Sequence, residues 1–174
     1  GRQHNGRMGK VDECQVGVYL AYAKGQHWTL WDGCLFIPEK WFSADAAQRR
    51  EKVGIPSERA FQTKVELGWQ MLERAKANGL AFEAVAFDSL YGRSYWLRER
   101  CEEAGLEYYA DIPNNYPLYR QAPVLEFEQG KRGQPTQKFR VVGQVALKAA
   151  AFVHLPQTAW EKITLRPSER GQMQ

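Results

Sequence analysis

The chain has 174 residues, of which 44% are apolar and 13% aromatic, and this suits one globular domain with a real hydrophobic core rather than a disordered chain. No apolar run approaches the roughly 18 residues that cross a membrane, and no signal sequence opens the chain, so we expect a cytosolic protein. The 24 basic and 20 acidic residues give a net charge of only +4, which is compatible with a polyanionic partner without indicating one.

The first segment predicted to be regular is an antiparallel hairpin over residues 14–37. From Cys14 to Ala23 the sequence CQVGVYLAYA alternates as a half-buried strand does, and a short turn at Gly25 leads into the second strand. Asp32-Gly33 predicts a bulge or a second turn there. The preceding Gly1–Lys10 lacks alternation and carries three glycines, so we expect it to be irregular.

Two helices follow the hairpin. Ala44–Gly54 has a polar helical composition and is closed by a glycine, which predicts a short surface helix. Thr63 and Glu66 form a T-x-x-E capping box, after which apolar residues recur at helical spacing until Gly79 ends the pattern. This second helix is predicted to pack one face against the core.

A short apolar run, AVAF at residues 84–87, is predicted to be a central strand covered on both faces, because it is too short for a helix. It ends at Asp88. A helix is predicted over Gly92–Ala104 with Gly105 as its cap, and then a strand ending at Pro113.

The remainder of the chain is less regular. Gly130–Arg140 carries four basic residues and no acidic one, with glycines and a proline, and is predicted to be an exposed loop or hairpin tip. We expect a short helix near Gln144–Ala150 and a strand near Trp160–Leu165.

The three cysteines are widely spaced and form no CxxC pair, which argues against a disulfide framework and a structural zinc site. We therefore expect buried free thiols at Cys14, Cys34 and Cys101. The histidines are equally scattered and do not indicate a metal site.

Asp88 is the first candidate for a metal-binding residue. An acidic residue at the carboxyl end of a strand is well placed to bind a divalent cation, and two-metal phosphoryl-transfer sites gather several such carboxylates. The alternative is structural, because an Asp before a helix also caps it. The residues alone leave both interpretations open.

Four strings in order carry a family resemblance: GKVDECQVGVYLAYA at Gly9–Ala23, LFIPEKW at Leu35–Trp41, AFDSLYG at Ala86–Gly92 and DIPNN at Asp111–Asn115. Together they resemble insertion-sequence 701-like DDE transposases, which are related to the insertion-sequence 4 group. The similarity covers residues 1–115 well and the remainder more loosely.

The resemblance implies an α/β, ribonuclease-H-like mixed sheet flanked by helices. It matches Asp88 to the second metal-binding aspartate of the acidic triad, with Mg²⁺ or Mn²⁺ as cofactor. The family's first aspartate and its glutamate would lie outside this chain, so we expect 1–174 to be a partial catalytic domain that lacks the first strand and the last catalytic helix and is inactive alone. We also expect a gap in the sheet where this first strand would lie, with no ladder of backbone hydrogen bonds between residues 1–10 and Ala84–Phe87.

The partner implied by the resemblance is DNA, at the element ends and the target, in the bacterial cytoplasm at the nucleoid. An oligomer is compatible with the intact enzyme. Within the basic loop, phosphate contacts are expected from Lys131, Arg132, Lys138 and Arg140. Asp12, Asp32 and Glu39 are less favoured as substitute metal ligands, and Tyr91 is expected to pack rather than to act as a nucleophile.

Two alternatives stay open. One is a non-catalytic nucleic-acid-binding domain of the same fold, favoured by the missing carboxylates. The other is a different metal-dependent nuclease of that fold, with the same hydrolysis but no strand transfer.

Overall fold

The computed structural model describes residues 2–5, 8–127, 139–156, 158–159, 167–168 and 171–172. The chain divides into two compact units, Gly1–Ala110 and Asp111–Gln174. The secondary structure is mixed α/β, as predicted. No helix in these described ranges is both long and apolar enough to cross a membrane.

The first unit carries most of the regular structure. Two 3₁₀ turns, Glu39–Trp41 and Ala44–Ala46, precede its first α-helix. Its strands and α-helices are, in chain order, β1 (Arg2–Asn5), β2 (Lys10–Glu13), β3 (Val16–Lys24), β4 (His27–Phe36), α1 (Ala47–Lys52), α2 (Lys64–Ala77), β5 (Ala84–Phe87), α3 (Ser89–Gly92), α4 (Tyr95–Glu103) and β6 (Glu107–Ala110).

The predicted hairpin over residues 14–37 is confirmed as β3 and β4, which pair antiparallel from Val16 opposite Phe36 to Lys24 opposite His27. The register shifts after Leu20, where Trp31 is the extra residue of a bulge, so the bulge expected at Asp32-Gly33 falls one residue earlier. Residues that pair directly lie on one face of the sheet.

The face of the β3–β4 sheet that carries Val18 packs on α2. Val18, Leu67 and Met71 form the centre of this core, and the pairing of Val18 with Cys34 brings both strands onto it. The predicted capping box starts α2: Thr63 Oγ1 accepts from the Glu66 amide at 3.2 Å, and a Glu66 carboxylate oxygen accepts from the Thr63 amide at 2.7 Å.

The expectation that residues 1–10 are irregular is wrong. β1 pairs antiparallel with β2, from Arg2 opposite Glu13 to Asn5 opposite Lys10. The Met8 and Gly9 amides donate to the Asn5 carbonyl, and Gly9 has a φ of 64°. This glycine therefore serves the turn, where a positive φ is needed, instead of weakening a strand.

The strand predicted at residues 84–87 is confirmed, but its central and covered position is not. β5 pairs only with β6, in parallel, within the described residues, so it is the edge of a two-stranded sheet. Ala86 is exposed and the other three residues are half-buried. The expected absence of a ladder between β5 and residues 1–10 is confirmed for the part of those segments that is described.

The helix predicted over Gly92–Ala104 is confirmed as α4, which begins at Tyr95 and is preceded by the separate short helix α3. Asp88 caps α3, and Ser94 caps α4 by accepting from the Leu97 amide at 3.3 Å. Leu97 and Cys101 form the buried face of α4, and Gly105 follows it with a φ of 62°. Cys14, Cys34 and Cys101 are free thiols, as expected, but Cys101 is the buried one and the other two are half-buried.

The second unit consists of short elements, each strand pair forming its own two-stranded sheet. The expected helix near Gln144–Ala150 is found a little later, as α5, and the strand predicted near Trp160–Leu165 lies outside the described residues. The elements are β7 (Pro117–Leu118), β8 (Val124–Phe127), β9 (Phe139–Val142), β10 (Leu147–Lys148), α5 (Ala149–Phe152), β11 (Pro167–Ser168) and β12 (Gly171–Gln172).

Candidate functional site

Asp88 directly follows β5 and begins α3. Its Oδ1 accepts a hydrogen bond from the Leu90 amide at 2.8 Å, so the structural role of a helix cap is real. Its residue surface is exposed, and within the described residues no donor contacts Oδ2. The cap thus orients the carboxylate and leaves one oxygen open for another partner.

A cavity of about 220 Å³ opens beside Asp88. Its walls are β3 on one side and β5 on the other, and residues of α2, α3 and α4 complete it. The lining is largely apolar, with Met71 and Leu97 almost fully buried. Among the described residues, Asp88 is the one carboxylate that lines it, directly after the carboxyl end of β5.

Tyr91 packs beside Asp88 in this cavity. A Cβ placed on Gly68 would lie 3.2 Å from the Tyr91 ring, so α2 approaches the ring closely because residue 68 has no side chain. Burial raises the pKa of the Tyr91 phenol, and the charge of Asp88 raises it further. The phenol therefore stays protonated at neutral pH, which agrees with a packing role.

The described residues do not fit a two-metal site. They contain no group of three or more His, Cys, Asp or Glu side chains that could hold a metal ion. Asp88 alone offers one carboxylate, whereas two-metal chemistry needs several. We therefore assign no metal-dependent step to the described residues by themselves.

Two of the three less favoured acidic residues, Asp12 and Asp32, are engaged elsewhere. A Lys10–Asp12 ion pair of 3.1 Å lowers the pKa of Asp12, and the Glu13 amide lowers it further. Arg74 of α2 holds Asp32 through two hydrogen bonds to Oδ2, at 2.7 and 3.0 Å. These contacts give the carboxylates structural partners.

The expected DNA-contacting residues are placed only in part. Lys131, Arg132 and Lys138 lie outside the described residues. Arg140 is described, but it is in strand β9 and not in a loop. It lies directly opposite Glu126 of β8, an opposite charge that offsets its own.

The β3–β4 sheet has an exposed face with aromatic side chains, opposite the face that packs on α2, and this face was not predicted from the sequence. Tyr19 is 68% exposed, Trp28 63% and Leu30 61%. The alternation in β3 predicted which residues point to the core. The register of β4 was needed to show which side chains join Tyr19 on the other face.

Comparison with known proteins gives one family assignment. A family model described as "DDE superfamily endonuclease" matches residues 1–172. No curated protein and no solved structure shows significant similarity to the chain. Since the match spans nearly the whole sequence, the chain belongs to the DDE superfamily endonuclease family.

Proposed function

We propose that this chain is the part of a DNA transposase catalytic domain that supplies Asp88 as one metal-binding carboxylate. The observation that carries the proposal is the position of Asp88, which directly follows strand β5, lines the cavity and keeps one carboxylate oxygen open. The family assignment supports nuclease chemistry on DNA. The four matched strings favour the insertion-sequence 701-like group.

In this proposal the complete enzyme hydrolyses a phosphodiester at the end of an insertion sequence and directs the freed 3′-hydroxyl onto target DNA. Mg²⁺ or Mn²⁺ would neutralise the charge that develops on the phosphate, held by hard oxygen ligands. The cap bond from Leu90 would hold the Asp88 carboxylate in one orientation. The other carboxylates would come from outside the described residues.

The test compares this chain with the protein translated from the complete reading frame that encodes it. We expect the complete protein to nick DNA with Mg²⁺ or Mn²⁺, its Asp88→Asn variant to fail, and the 174-residue chain to fail in both forms. If the complete protein with Asp88→Asn nicks normally, Asp88 is not a ligand. If the 174-residue chain nicks robustly, it is not an incomplete site.

A second candidate is a non-catalytic nucleic-acid-binding domain of the same family. It is favoured because the described residues place one carboxylate in the cavity, and one ligand does not hold two cations productively. A complete protein that binds DNA with Asp88 intact, but never cleaves it with either cation, would support this candidate. Cleavage without strand transfer would instead indicate the third possibility, another nuclease of the same fold.

A further inference from the structure

Two arginines of α1 lie over aromatic rings of the segment that precedes this helix. The guanidinium carbon of Arg49 is 5.9 Å from the centre of the Trp41 ring, and that of Arg50 is 5.6 Å from the centre of the Phe42 ring. A cation is attracted by the negative face of an aromatic ring, so these contacts order two otherwise flexible side chains. They hold two positive charges at neighbouring positions of α1.

A third cation of the same kind lies at the start of α2. Nζ of Lys64 is 5.2 Å from the centre of the Phe36 ring. The Phe42 and Phe61 rings, whose centres are 6.0 Å apart, connect the segment before α1 with the residues that lead into α2. We call the three cations and their rings the basic–aromatic surface, which consists of Phe36, Trp41, Phe42, Arg49, Arg50 and Lys64.

The three cations have no acidic partner among the residues that the structure describes. The ion pairs found there are made by other cations. The same residues also accept no hydrogen bond from the guanidinium of Arg49 or Arg50, or from Nζ of Lys64. Since a guanidinium has five N–H donors, both arginines present ordered donors that another molecule can use.

We propose that the basic–aromatic surface is a contact site for the phosphate backbone of duplex DNA. Its positive charges are uncompensated, and phosphate oxygens accept paired hydrogen bonds from guanidinium groups. The cations already lie over the rings, so the rings support the charges and are not open to stack on unpaired bases, as aromatic side chains do in single-strand-binding proteins. Contacts to phosphate position a protein on DNA without reading its sequence.

This proposal rests on the proposed function in taking DNA as the partner, but it does not depend on Asp88 or on a metal ion. The residues of the basic–aromatic surface all belong to the first unit, whereas the DNA contacts expected from the sequence belong to the second. The contribution of this surface can therefore be measured without cleavage, and with those other cations unchanged.

The test measures binding of the 174-residue protein to a dye-labelled DNA duplex by fluorescence anisotropy, in EDTA and at several salt concentrations. Arg49→Gln combined with Arg50→Gln removes two charges and leaves the rings in place. Each phosphate contact contributes about 0.9 to the slope of log affinity against log salt, so we expect the slope to fall by about 1.8. At about 0.1 M salt, the affinity should fall more than about tenfold.

The conservative variant, Arg49→Lys combined with Arg50→Lys, separates charge from structure. Lysine neutralises a phosphate as arginine does, so the slope should stay near that of the original protein. The affinity should lie between those of the original protein and the Gln variant, because lysine lacks the planar fork of donors.

The matched control is Lys76→Gln combined with Arg100→Gln, which removes the same charge from cations that already have acceptors. Lys76 Nζ donates to the Ala104 carbonyl at 3.5 Å, and Arg100 forms an ion pair of 3.1 Å with Glu103. Arg100 also lies over an aromatic ring, at 5.7 Å. This control should keep the slope of the original protein.

The proposal is overturned if the original protein binds no DNA at low salt, or if the Gln variant keeps the original slope. It is also overturned if the Lys variant is as weak as the Gln variant, or if the control loses as much slope, because the effect would then be structural or one of net charge. Equal competition by a polyglutamate peptide of the same charge would instead indicate an acidic protein partner. None of these outcomes changes the nicking test of Asp88 in the complete protein, so the two proposals fail separately.

Discussion

Replacing Asp88 by Ala and by Asn separates the two roles of this residue. In the folded chain, Oδ1 of Asp88 accepts from the Leu90 amide at 2.8 Å and caps α3. Alanine removes the acceptor. Asparagine keeps an oxygen in the same place and removes only the negative charge.

The expected loss of unfolding free energy follows from the length of α3 and the exposure of Asp88. Loss of an N-cap side chain costs about 0.5–2 kcal/mol in general. α3 has only four residues and Asp88 is exposed, so we expect the lower part of that range, about 0.5–1 kcal/mol, for Asp88→Ala. Asn ranks with Asp as a cap, so Asp88→Asn should stay within about 0.5 kcal/mol of the original protein.

The assay is urea unfolding of the 174-residue protein followed by tryptophan fluorescence at neutral pH, with all three proteins measured together. The same Asp88→Asn substitution in the complete protein should abolish metal-dependent nicking although stability is retained. Equal destabilisation by Asn and Ala would refute the cap argument. Retained nicking with Asn would show that the charge is not needed.

Further substitutions test the core, the capping box and DNA binding. Met71→Ala should destabilise by about 2–5 kcal/mol because this side chain is 1% exposed, whereas Met8→Ala, at a 59% exposed side chain, should change stability by less than about 0.5 kcal/mol. Thr63→Ala should cost about 1 kcal/mol, because it removes the acceptor of the Glu66 amide and the hydroxyl that donates to the Glu66 carboxylate. The Thr63 amide and, to a smaller extent, the hydroxyl hold the pKa of Glu66 below its usual value, so the stability from this carboxylate is present above the unfolded pKa and is lost as pH falls through the folded one. Since alanine removes only the hydroxyl's share, urea unfolding should show a somewhat smaller loss at acidic than at neutral pH, and a larger loss at acidic pH would contradict this reasoning. DNA binding should be weak, independent of sequence and weakened by salt. Neutralising Lys131, Arg132, Lys138 and Arg140 together should reduce both the affinity and its salt dependence in filter binding. A variant with the same salt dependence as the original protein would contradict the phosphate contacts.

Local signals predicted the elements around the candidate site well. The T-x-x-E box at Thr63 and the positive φ at Gly79 set the two ends of α2 within a few residues, because both act through neighbouring backbone groups. The alternation in β3 likewise predicted that Val18 faces the core. The pattern of a short apolar run predicted β5 and the position of Asp88 after it.

Contacts between distant residues were not predictable in the same way. Asp32 and Arg74 are 42 residues apart, and nothing local indicates that this carboxylate is held by an arginine of α2. The same is true of the hairpin of β1 and β2, because glycines placed at a turn and glycines that weaken a strand give similar composition.

The sequence alone was enough to identify the order and type of most elements in the first unit, the start and end of α2, and Asp88 as the candidate residue. These depend on side-chain period and capping, which involve neighbours within a few residues. Only the folded chain shows that, among the described residues, β5 is an edge strand, Asp88 is the one carboxylate lining the cavity, and β3 and β5 line a common space without pairing. These features depend on which distant backbone groups find partners, and a strand's hydrogen bonds, unlike a helix's, are always made with another segment.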